Sequence, residues 1–212
     1  MAPPHPMLSR GVLLGALALA APVVTIPIAG TALAANAGPA TTFVRERHET
    51  LTKLLGEKPS ADRDKKLDAE LASLLDGDEM VKGVLGAFAA TRKPDEIAHF
   101  GKTLKQLIQI AYRKKLDAIK GWSVEYVEEV ADGNDTKVIT KASKPGDKKA
   151  SPIDIAYVVR KKGTTFVVVD FVPGEMSWVQ HTRKEIAGKV KELGWDGMMK
   201  KLDAKLSKET GF

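Results

Sequence analysis

Ile153-Asp154-Ile155-Ala156-Tyr157-Val158-Val159-Arg160 decides how the rest of the chain is read. Large apolar side chains recur at every second position, and a strand sends alternate side chains to opposite faces. Ile153, Ile155, Tyr157 and Val159 therefore share one face, while Asp154 and Arg160 favour the wetter one. Lys162-Gly163 follows as a tight turn. Thr164 to Val172 is then the return strand, carrying Phe166 and Val168, and Pro173-Gly174 ends it. The same period runs upstream, where Trp122, Val124 and Tyr126 alternate with Ser123, Glu125 and Val127. Asp132-Gly133-Asn134 marks a hairpin whose second strand is Lys137 to Lys141. Ser143 to Ser151 is polar, basic and glycine-bearing, and reads as the loop between the two hairpins.

Helical periodicity flanks this meander on both sides. Pro94-Asp95-Glu96 opens the longest helix, with proline in the first turn and acids at the positive end of the helix dipole. Its apolar stripe is Ile97, Phe100, Leu104, Leu107, Ile108 and Ala111, extended by Leu116 and Ile119 to Gly121. A short helix before it holds Met80, Val84, Leu85 and Phe88, behind the break at Asp76-Gly77-Asp78. Ser60 caps a helix with Leu67, Leu71, Leu74 and Leu75 at three-to-four spacing. A first helix runs from Thr42 to Leu55, on Phe43, Val44, Leu51, Leu54 and Leu55, and stops at Gly56 and Pro59. Beyond the sheet, Ser177 to Leu193 and Trp195 to Ser207 give two closing helices. The order predicts an α+β domain: N-terminal helices, an antiparallel curved sheet of four or slightly more strands, and two C-terminal helices, packed on one sheet face.

The chain has 212 residues, no cysteine and a formal net charge of +6. Disulfides, cysteine nucleophiles and thiolate zinc sites are excluded. The basic residues are dispersed among acids, without the interleaved aromatics of a nucleic-acid groove. Met1 to Ala34 reads as a secretory signal peptide: a weakly positive start at His5 and Arg10, the apolar run Gly11 to Ala21, and the cleavage site Ala32-Leu33-Ala34. Gly11 to Gly30 approaches the roughly 20 residues a bilayer requires, but Pro22 and Pro27 interrupt it. Residues 35–41 read as a disordered leader, and 42–212 as a single domain, exported and soluble.

No phosphate-binding glycine loop and no histidine pair at metal-ligand spacing occurs. His48, His99 and His181 are isolated along the sequence. Asp170, behind Val167-Val168-Val169, is the one carboxylate placed as a catalytic group would be. The plainer reading has it bonding backbone N–H groups in the turn toward Ser177. Glu125, Glu128 and Glu129 read as solvent-facing.

Three stretches together resemble the MlaC/toluene-tolerance family of periplasmic phospholipid-binding proteins. They are Met80-Val81-Lys82-Gly83-Val84-Leu85-Gly86; Pro94-Asp95-Glu96 through Phe100, Leu104, Leu107, Ile108 and Tyr112 into Gly121-Trp122-Ser123-Val124-Glu125-Tyr126; and Val168-Val169-Asp170, Ser177, Arg183, then Gly194-Trp195-Asp196-Gly197-Met198-Met199. Departures from the family pattern are the order Gly174-Glu175, His181 where tyrosine is common, and the basic loop around Lys148 and Lys149.

The resemblance implies a non-enzymatic carrier without cofactor or metal, whose cargo is phospholipid held in an apolar cavity between helices and sheet. It implies a monomer that shuttles between an outer-membrane lipoprotein complex and an inner-membrane ABC transporter with an MCE-domain protein, in the service of outer-membrane lipid asymmetry. The expected lining is Phe100, Leu104, Leu107 and Ile108 of the long helix with Leu85 and Phe88 of the short one. Across from them stand Trp122, Val124, Tyr126, Ile153, Ile155, Tyr157, Val159, Phe166 and Val168. Two other readings stay open on the residues alone: a small-molecule enzyme on a cone-shaped α+β fold, using Asp170 with His99 or His181, and a periplasmic scaffold module with a filled core.

Overall fold

A computed structural model describes residues 38–118, 121–147 and 151–211. The expected signal peptide, Ile119 and the basic loop residues Lys148 and Lys149 lie outside the described residues. Helices α1 (Pro39–Gly56), α2 (Ala61–Leu74) and α3 (Gly77–Leu85) come first, then a 3-10 turn (Gly86–Ala90) and α4 (Pro94–Ala118). Strands β1 (Ser123–Asp132), β2 (Asp135–Ser143), β3 (Ile153–Lys162) and β4 (Thr165–Pro173) follow, and α5 (Trp178–Thr210) closes the chain. The α+β class and the antiparallel meander, in the order β1-β2-β3-β4, are as expected. Gly194, at φ 71° and ψ 174°, is non-helical and divides α5 where the sequence places a break between two helices.

Local chemistry sets the element ends. Ser60 Oγ accepts from Arg63 N at 3.1 Å and Asp76 Oδ1 from Glu79 N at 3.1 Å, so α2 and α3 carry side-chain N-caps. Glu96 reaches back to Lys93 N at 2.8 Å at the start of α4. Helix α1 begins at Pro39, three residues before its expected start, so the end of the supposed leader is helical, with Ala40 and Thr41 buried. Its cap comes from the sheet instead of its own sequence: Glu129 on β1 accepts from Thr41 N at 2.7 Å. A Cβ at Gly38 would meet that carboxylate and push it from its place at the helix end.

Two bulges change which residues face the helices. On β1, Tyr126 pairs with Thr140 and Glu128 with Ile139, leaving Val127 as the extra residue. On β4, Val168 pairs with Val159 and Asp170 with Val158, leaving Val169 extra. Each extra residue reverses the parity of the strand beyond it. Glu129, expected in solvent, thereby shares the inner face with its partner Val138, which is fully buried. Phe171 likewise turns inward opposite Tyr157.

One apolar core joins the helices to this face. Phe100, Val138, Val159 and Val168 are at most 1% exposed. Burial of one such side chain contributes about 1.5–3 kcal/mol. On α4 the stripe continues through Tyr112, which is buried, whereas Ala111, expected in the stripe, is exposed. Leu75, between α2 and α3, forms a single parallel bridge with Val168, and Asp76 N donates to Val168 O at 2.9 Å.

Candidate functional site

Of the residues expected to line a pocket, Leu85, Phe100, Leu104, Leu107, Ile108, Tyr157, Val159 and Val168 are buried members of the core. Phe88, Tyr126, Ile155 and Phe166 are half-buried and pack against it. Trp122 and Val124 are half-buried around the start of β1, and Ile153, at the start of β3, is 38% exposed.

A cavity of about 920 Å³ opens beside this core, among α2, α3, α4 and the start of β4. Its apolar wall includes Leu71, Leu75, Val81, Leu85, Ile97, Ile108 and Val167. Its polar rim carries Lys82, Lys102, Lys105 and Lys162 with Asp76 and Asp78. Lys162 pairs with Asp76 and Lys105 with Asp78, each at 2.9 Å. Leu85 and Ile108 are the expected residues that border it. Core side chains and cavity wall are thus in part the same groups.

Inside the core, the residue that sequence reasoning passed over is His48. It is 8% exposed, and its Nδ1 lies 3.0 Å from the Tyr126 hydroxyl. Its Nε2 lies 3.4 Å from the hydroxyl of Tyr112. The His48 ring meets the Tyr157 ring edge-on at 4.9 Å. Burial disfavours charge on all of these groups. It lowers His48 to about 4, so the imidazole is neutral at pH 7. It raises Tyr112 and Tyr126, and raises Tyr157 to about 12. The guanidinium of Arg45 lies 4.8 Å from the Tyr126 ring centroid. A sequence signal was present: Val44, His48, Leu51 and Leu55 succeed one another at helical spacing, so His48 fills the gap in the apolar stripe of α1.

The carboxylate of Asp170 does what the plainer reading expected. It accepts from Phe171 N at 2.8 Å, from Val179 N at 3.0 Å and from the Ser177 hydroxyl. Ser177 Oγ in turn accepts from Gln180 N at 3.1 Å, so Asp170 fastens the start of α5 to β4. The histidines that an enzyme reading would use sit at the surface. His99 pairs with Asp203 at 3.2 Å with its side chain 56% exposed, and His181 lies 3.7 Å from Glu185 with its side chain 44% exposed. His99 therefore has a carboxylate neighbour, contrary to its isolation in sequence, but one supplied by α5 at an exposed position. Among the described residues no helix is long and apolar enough to cross a membrane.

An α+β fold with a buried polar chain and a cavity against its core meets a family model at this point. The model described as MlaC protein matches residues 46–204. The chain belongs to the MlaC family. No curated protein matches it. Among solved structures, it is similar to the phospholipid-binding protein from Ralstonia solanacearum in complex with a phospholipid. The TM-score is 0.69 at 16% identity, over 82% of this chain and 99% of that one. That likeness is one of fold, and the MlaC match covers its sheet and α2 to α4 in full.

Proposed function

We propose that this MlaC-family chain is a periplasmic phospholipid carrier. The observation that carries the reading is the family match over residues 46–204. A diacyl lipid cannot travel exposed in water, because each buried CH₂ is worth about 0.8 kcal/mol. A carrier therefore needs an apolar chamber near the upper end of the usual pocket range, about 1,000 Å³. The cavity of about 920 Å³ lies on the α2, α3 and α4 side of this core and shares Leu85 and Ile108 with the expected lining. On this reading the tails lie between α4 and the inner sheet face, along Phe100, Leu104, Leu107, Ile108, Ile155, Tyr157, Val159 and Val168. The mature protein begins after Ala34 and exchanges lipid with an inner-membrane transporter and an outer-membrane lipoprotein complex.

Mass spectrometry under native conditions, on protein purified from the exported fraction, tests the reading. Adducts with phospholipid masses are expected. Protein that stays free of lipid after incubation with phospholipid vesicles, by contrast, overturns it. The alternative enzyme reading gains nothing from Asp170, whose oxygens are engaged by Phe171, Ser177 and Val179.

A further inference from the structure

Short side chains keep the cavity among α2, α3 and α4 open. Gly101, in the interior of α4, faces α3, and a Cβ there would stand 3.5 Å from Val81 Cγ1. That is an ordinary contact, so alanine would fit, yet glycine, which destabilises a helix interior relative to alanine, holds the position. Ala72, Ala89 and Ala98 border the same cavity. The wall they leave is apolar, and it reaches Leu85 and Ile108, which are buried and belong to the expected lining of the tails. The cavity of about 920 Å³ thus abuts the core at two of its own side chains.

The rim of this cavity is cationic. Four lysines and two aspartates border it, and four less two leaves two positive charges over. Asp76 is taken by Lys162 and Asp78 by Lys105, each at 2.9 Å. Lys82 lies 3.4 Å from Glu79, but the other oxygen of that carboxylate is 2.6 Å from Arg160, so one negative charge serves two cations. Lys102 has no carboxylate at ion-pairing distance among the described residues. The excess charge therefore sits on Lys82 and Lys102, both exposed. Cations beside a low-dielectric wall concentrate positive potential in the cleft between them. A ligand with a net negative head is favoured there over one whose head is neutral or zwitterionic. The apolar wall beneath favours hydrocarbon joined to that head.

We propose that the cavity among α2, α3 and α4 seats the headgroup end of the cargo, and that Lys82 and Lys102 make it select phospholipids of net negative charge. The proposal rests on phospholipid being the cargo. The head stays at the wet rim, where no charge is buried, and the tails follow the apolar wall toward Leu85 and Ile108. The pairs Lys162–Asp76 and Lys105–Asp78 add no net charge, so the selection comes from the two other lysines. Because both are exposed, it weakens as salt screens them.

The test offers the full mature chain mixed vesicles of phosphatidylglycerol and phosphatidylcholine, equimolar and with the same acyl chains, and counts bound lipid by mass. At about 0.05 M salt phosphatidylglycerol should be taken up about fivefold over phosphatidylcholine, and at about 0.5 M salt the ratio should approach one. Lys82→Gln/Lys102→Gln should bring the two lipids to parity at low salt. Lys184→Gln/Lys189→Gln, which removes the same charge from exposed positions on α5 outside the cavity, should keep the preference. Ala98→Trp, which fills the cavity from an exposed position on α4, should lower uptake of both lipids. Thermal melting accompanies each variant, and the wild-type arms decide even where a variant does not fold. Equal uptake by the wild type at low salt, or a preference that salt leaves unchanged, overturns the selection while the carrier reading stands. A preference that persists without Lys82 and Lys102, or that falls equally in the α5 variant, overturns it as well. Undiminished uptake by Ala98→Trp overturns the seat and leaves the cavity to an acidic segment of a partner protein. Uptake of neither lipid by the wild type overturns the selection and the carrier reading together.

Discussion

His48 makes the stability of this domain respond to acid. Burial holds its folded pKa at about 4, below the ordinary histidine value of 6.5. Between these values the unfolded chain binds more protons than the folded one, so stability rises with pH. The contribution is fully present above pH 6.5 and is lost as the pH falls through about 4. A shift of this size corresponds to about 3 kcal/mol. Urea unfolding at pH 7 and pH 4.5 should show a fall in stability that His48→Gln largely abolishes. An equal fall in the variant would assign the acid sensitivity to other groups. Asp170 makes the opposite kind of contribution, as an anchor for α5. Asp170→Asn is expected to lower stability by about 1–3 kcal/mol, by weakening charge-assisted bonds to Phe171 N and Val179 N, while lipid binding persists. A stable variant that lost bound lipid would place Asp170 in the site. The role of Asp170 was legible in the sequence, since a carboxylate ahead of a turn and a serine cap implies local backbone bonding. The partners of His48 were not, because they come from α4, β1 and β3, which only the fold brings together.

Among the elements, the pairing of α1 with β1 is the least visible from sequence. Pattern reading finds every strand and helix within a few residues, because alternation and three-to-four spacing are strong signals over elements of this length. It assigns the wrong face to Glu129, and misses Phe171, for one reason: a bulge adds a residue without changing composition. The consequence can be measured. Glu129→Ala removes the cap on α1 and should destabilise by about 1 kcal/mol. Gly38→Ala should destabilise too, since its Cβ meets the Glu129 carboxylate. Combined in one chain the two changes should cost less than the sum of the single variants, because the alanine at 38 then faces a vacated site. Strict additivity in chemical denaturation would mean that Glu129 does not sit at the helix end in solution.

For the whole molecule, the sequence predicts class and element order correctly and most of the core, though not His48 or the exposure of Ala111, and it has no means to say whether that core is filled or parts around a ligand. The structure places Ile155 half-buried against the core, which makes it the position to ask. Ile155→Trp should displace lipid without unfolding the domain, whereas Ile155→Ala should cost less than the roughly 2–5 kcal/mol of a cavity in a filled core. Thermal stability read together with lipid content decides it: a tryptophan variant that unfolds, or keeps its lipid, removes Ile155 from the pocket. A core that parts has a further difficulty, since loosening a sheet bares strand edges that other chains can extend. The bridge from Leu75 to Val168 bears on this. It occupies part of the outer rim of β4 with a segment of the same chain, fixed by Asp76 and its ion pair with Lys162. At the opposite rim, β1 carries the exposed charges Glu125 and Glu128 and a bulge at Val127. Both rims are thus protected against intermolecular strand addition, which guards the domain against polymerising into aggregates.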